Sequence, residues 1–103
     1  MYNTEDIDVI AYYFSEFDMK AFEALGYETR SGGFKGVAPL FGKNENYLKR
    51  LRDEFDVVTH SHRRGQCNRP PRQRIIEARN SLCSLSFEEL TDAVSTLIQG
   101  TQV

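Results

Sequence analysis

Apolar residues recur along this chain at the helical period almost throughout, and no run alternates in the manner of a half-buried strand. The spacing predicts a first helix from about Thr4 to Phe14, with Ile7, Ile10, Ala11 and Phe14 on one buried face. Asn3 or Thr4 caps it, and Glu5, Asp6 and Asp8 stand near its positive end. A second helix is expected from about Asp18 to Leu25, capped by Asp18, with Phe22 and Leu25 inward and Gly26 at the left-handed stop. Tyr27 to Gly33 reads as a polar, glycine-containing connector.

A short third helix is expected over about Gly33 to Phe41, ended by Gly42. Pro39 inside it either delays its start or bends it, because proline removes a backbone donor. Asn44 caps a fourth helix over about Glu45 to Phe55, with Tyr47, Leu48, Leu51 and Phe55 as its apolar stripe. Val57 to Pro71 is a loop by composition. Pro71 suits the first position of a fifth helix that runs to about Asn80 with Ile75 and Ile76 inward. Ser86-Phe87-Glu88-Glu89 is a capping box opening a last helix through Gln99, with Leu90, Ala93, Val94, Leu97 and Ile98 as its stripe and Gly100 as its stop. The expected fold is therefore all-α: one domain over residues 1–103, a compact bundle of five to six short helices.

Composition narrows the class. At 40% hydrophobic and 27% charged, the chain is an ordinary globular one, with no apolar run long enough to span a membrane. Its acidic, polar start is unlike a secretory signal, and a cytoplasmic address is the expectation. Cys67 and Cys83, without other secretory features, read as free thiols.

The net charge of −2 conceals a segregation. Residues 1–42 hold three bases and seven acids, whereas residues 43–79 hold ten bases and five acids. A basic face on an acidic body matters more to a phosphate backbone than the total charge does.

The segment Phe34 to Leu51 has the layout of a helix-turn-helix. The small Ala38 stands where two helices meet, Gly42 opens the turn four residues later, and Val37, Phe41, Leu48 and Leu51 brace it from within. Lys43 replaces one expected apolar residue, and Gly36 and Pro39 weaken the first helix. A plain helical hairpin of the core would carry the same spacing. The second helix, however, adds Lys43, Asn44, Asn46, Lys49, Arg50 and Arg52, residue types that contact base edges and phosphates in a major groove. The loop from Thr59 to Arg74 supplies Arg63, Arg64, Arg69 and Arg72 for phosphate or minor-groove contact, or else is merely a solvated loop.

Catalytic and metal chemistry find little support. His60, His62, Cys67 and Cys83 lack the paired short spacing of a structural zinc site, so no metal or other cofactor is expected. Neither a carboxylate cluster near those histidines nor a phosphate-binding glycine loop nor a nucleophile motif is visible, and the chain alone is read as a non-enzyme.

Ala24-Leu25-Gly26-Tyr27, Phe34, the pair Ala38 and Gly42, Asn46 through Lys49, Arg52-Asp53-Glu54-Phe55-Asp56, Arg69-Pro70 and Leu85 through Leu90 together resemble a known pattern. It is that of a helical amino-terminal domain found in bacteria ahead of restriction-type and HNH-type nuclease domains and on phage-defence proteins. The likeness spans about residues 12 to 98, with Gln66 where an aromatic residue is the pattern's choice. It implies a recognition module for double-stranded DNA whose cutting activity lies on another domain or subunit. The alternative is a protein-interaction module, such as a phage-encoded inhibitor or docking subunit of a defence enzyme, with the acidic first third mimicking DNA.

Overall fold

In the computed structural model of the protein, residues 6–59 and 72–101 are described. They form α1 (Asp6–Phe17), α2 (Met19–Ala24), α3 (Arg30–Val37), a 3-10 turn (Ala38–Phe41), α4 (Glu45–Thr59), α5 (Gln73–Leu82) and α6 (Phe87–Thr101). The class is all-α, with no strand among the described residues.

The hydrophobic core is organised around α1. A single inward stripe was the expectation, yet every residue from Ile7 to Ser15 is buried, because α2, α4, α5 and α6 pack around this helix. A helix enclosed on all sides must satisfy its polar groups internally. Asp8 receives a two-pronged hydrogen bond from Arg74 of α5 at 2.8 and 3.1 Å. Tyr13 Oη lies 2.6 Å from Thr91 Oγ1 of α6. Ser15 donates to the Asp56 carboxylate of α4 at 2.6 Å. Each bond fixes α1 against a different neighbour.

Aromatic side chains fill the space between α1 and the helices that follow it. Phe14 stacks on Phe22 with ring centroids 4.1 Å apart, and Phe34 meets both edge-on. The helix α3 that carries Phe34 is glycine-rich for a packing reason. A methyl group at Gly33 would strike the Phe22 ring, and one at Gly36 would stand 2.6 Å from Tyr27 Oη. The glycines thus cost helix propensity but let aromatic rings approach the backbone.

Several boundaries differ from expectation, each for a local reason. Asp18 does not cap α2 through its side chain; its backbone turns at φ 50° and its carboxylate pairs with Arg30 at 2.7 Å. The third helix begins earlier, at Arg30, where Thr29 caps it by accepting from Gly32 N–H. Pro39 sits in the first turn of the 3-10 segment, where a missing donor costs least. α4 continues past Phe55 to Thr59, into the stretch read as loop. α6 runs through Gly100 to Thr101, so this glycine does not stop it, whereas Gly26 and Gly42 do adopt the left-handed turn at φ 92° and 74°. The Ser86 capping box forms in both directions, at 2.9 and 3.1 Å. Residues 60–71, with Pro71, lie outside the described residues.

A candidate nucleic-acid interface on helix α4

The connection from the 3-10 turn to α4 is three residues, Gly42-Lys43-Asn44. Gly42 takes the left-handed conformation, and its N–H and that of Lys43 return to the carbonyls of Pro39 and Ala38. Asn44 then caps α4, its Oδ1 accepting the Tyr47 N–H at 2.8 Å. Val37, Ala38, Leu48 and Leu51 are buried beneath the connection, while Phe41 is half-buried. The small residue, the turn glycine and the apolar braces therefore stand as their spacing predicted.

With about 100° between successive residues of a helix, the burial of Leu48, Leu51 and Phe55 fixes which way the rest of α4 points. Asn46, Lys49 and Arg50 occupy the opposite face, and all three are exposed, as are Lys43 and Asn44 at the turn. Lys49 and Arg50 form no ion pair among the described residues. Lys43 lies over the Tyr47 ring, its Nζ 4.6 Å from the centroid. That placement makes Tyr47 a platform for the lysine as well as part of the apolar stripe. The signal was present in the four-residue spacing of a cation and an aromatic, which brings the two together around a helix start.

Arg52 is not part of this face. Its side chain is turned inward, with 16% of its surface exposed, bound to Asp53 at 2.9 Å and reaching Asp18 at 4.0 Å. Its guanidinium lies over the Phe34 ring at 5.5 Å, and its buried Nε has no hydrogen-bond partner among the described residues. Arg72 is half-exposed but also committed: Nε and Nη2 each meet a Glu54 carboxylate oxygen at 2.9 Å, and its backbone N–H donates to the same group at 3.2 Å. This pairing raises the Arg72 pKa, chiefly through the hydrogen bond to Glu54. Both arginines, read from the sequence as DNA contacts, are structural in this fold. Arg63, Arg64 and Arg69 lie outside the described residues, as do His60, His62 and Cys67 of the zinc reading. Cys83 is free and exposed.

The Arg52-Asp53-Glu54-Phe55-Asp56 run thus acquires a physical meaning. Phe55 is fully buried and meets Tyr12 edge-on at 5.9 Å, Glu54 anchors the start of α5, and Asp56 accepts from Ser15 of α1. Arg52 pairs with Asp53 within the helix. The run fastens α4 to its neighbours.

No helix among the described residues is long and apolar enough to cross a membrane. Comparisons with family models, with curated proteins and with solved structures find no match to this chain.

Proposed function

We propose that this chain binds double-stranded DNA by laying the outward face of α4 in the major groove, with α3 and the 3-10 turn acting as the first half of a helix-turn-helix. One observation carries the reading. Lys43, Asn44, Asn46, Lys49 and Arg50 are exposed on a helix that follows a tight, internally braced turn, and none of the described acidic side chains pairs with their cations. Cations without an acidic partner among the described residues, gathered on one helix face, meet the electrostatic requirement of phosphate binding. Amide and guanidinium groups among them meet the requirement of base contact.

The biological setting we favour is the recognition module of a restriction or phage-defence system, in which a separate nuclease domain or subunit cuts. That setting rests on the resemblance carried by residues within 24–56, 69–70 and 85–90. The competing role, docking on a protein partner, draws on the exposed acids Glu88, Glu89 and Asp92 at the start and middle of α6.

Fluorescence anisotropy of a labelled random duplex, measured at rising salt, separates the two. Each phosphate contact contributes a slope of about −0.9 in log affinity against log salt. Phosphate contacts from Lys43 and Lys49 together predict a slope of about −2. Absence of binding even at low salt would remove the DNA reading in favour of a protein partner.

A further inference from the structure

The arrangement of side chains around α4 discriminates between groups suited to base edges and groups suited to phosphates. Taking Asn46 as the reference direction, Arg50 lies about 40° to one side and Tyr47, with Lys43 on its ring, about 100° to that same side. Lys49 lies about 60° to the other side. Over the first two turns of α4 an asparagine and an arginine therefore occupy the crest of the exposed face, with a lysine on each flank; further along the same line stands Asp53, paired with Arg52. A helix seated in the major groove has base edges beneath its crest and a phosphate strand along each flank.

Hydrogen-bond commitments sharpen the assignment. Asparagine recognises adenine through both its carbonyl and its amide, so both must be free. In Asn44 the carbonyl oxygen accepts the Tyr47 N–H, which turns this side chain toward its own helix end. Asn46 is exposed, and its side chain makes no hydrogen bond to another described residue. Of the two arginines in the first half of α4, Arg52 is turned inward onto Asp53 and Phe34, and only Arg50 presents its guanidinium outward.

We infer, building on the DNA-binding reading above, that the preferred duplex contains an adenine read by Asn46 and a guanine read by Arg50, with Lys43 and Lys49 gripping the two phosphate strands. Four helical residues rise about 6 Å, which places the two bases about two base pairs apart. The adenine contact runs through the exocyclic amino group in the major groove. A methyl group on that nitrogen occupies the place the Asn46 carbonyl needs, so N6-methylation of this adenine disfavours binding.

The test is selection of duplexes from a randomised library by the intact chain, followed by affinity measurements on the enriched site. The wild-type chain should enrich one adenine and one guanine at that separation. Asn46→Ala should relax the choice at the adenine alone and Arg50→Ala at the guanine alone, each base being worth about fivefold to a hundredfold. The double variant Lys43→Ala/Lys49→Ala should weaken all duplexes alike and leave the motif unchanged. N6-methyladenine at the selected position should bind as poorly as a mismatch. A motif that survives both Asn46→Ala and Arg50→Ala, or an affinity indifferent to the methyl group, overturns the assignment while leaving DNA binding in place. A wild-type chain that retains no duplex overturns both. Helical circular dichroism of each variant, expected to match wild type because every altered residue is exposed, guards against loss of the fold.

Discussion

Replacing Arg74 with methionine is expected to destabilise the fold by about 3–5 kcal/mol, the usual cost of leaving one member of a buried ion pair alone. Asp8 is the reason. Its side chain is only 3% exposed, inside the helix that α2, α4, α5 and α6 pack around, and the Arg74 guanidinium holds it through two hydrogen bonds. The same contact raises the Arg74 pKa strongly, with Tyr47 Oη contributing at 3.5 Å. Without Arg74 the buried carboxylate loses its charge partner and two hydrogen bonds, which costs folding free energy. For a domain of this size each kcal/mol corresponds to about 4–8 °C in melting temperature, so thermal unfolding followed by circular dichroism should show a fall well above 10 °C. Arg74→Lys should lose less, since it keeps the charge while giving up the two-pronged geometry. A Tm within a few degrees of wild type for Arg74→Met would show that the pair is dispensable.

The second large effect is on binding. The triple variant Lys43→Ala/Lys49→Ala/Arg50→Ala is expected to lose about a hundredfold or more in affinity for duplex DNA, from two lost phosphate contacts and one lost base contact. Because all three side chains are exposed and unpaired among the described residues, the melting temperature should change by no more than a few degrees. Arg52→Ala is the informative contrast. Its side chain lies on Phe34 and pairs with Asp53, so its removal should lower stability and leave the affinity of the folded fraction near wild type. Isothermal titration alongside thermal unfolding distinguishes the two patterns.

The parts of this fold legible in the sequence are those decided by neighbours in the chain. Asn44 as a cap, Gly26 and Gly42 as left-handed turns and the reciprocal Ser86–Glu89 box all involve residues three or four apart, where local chemistry settles the outcome. Val37, Leu48 and Leu51 were legible as core because their helical spacing places them inward.

What stayed hidden depends on distant partners. Asp8 and Arg74 are 66 positions apart, and Glu54 and Arg72 are 18 apart, so the density of arginine read as a cationic surface is in part a set of internal ion pairs. α1 looked amphipathic because Asp8, Tyr12, Tyr13 and Ser15 are polar in type, and only the packing of four helices around it makes their burial necessary. Gly100 looked like a stop because glycine favours one, yet a helix also tolerates it at a cost of about 1 kcal/mol. In the candidate interface, exposure of Lys43, Asn44, Asn46, Lys49 and Arg50 agrees with their spacing, and the Tyr47 platform emerges from packing.

The most direct test is a map of which backbone amides respond when a short duplex is titrated into the isotopically labelled chain, followed by two-dimensional NMR. Binding through α4 predicts shifts concentrated from Lys43 to Arg50, with α6 near Glu88 and Asp92 unaffected. Shifts concentrated on α6, or none at all at saturating duplex, would contradict it.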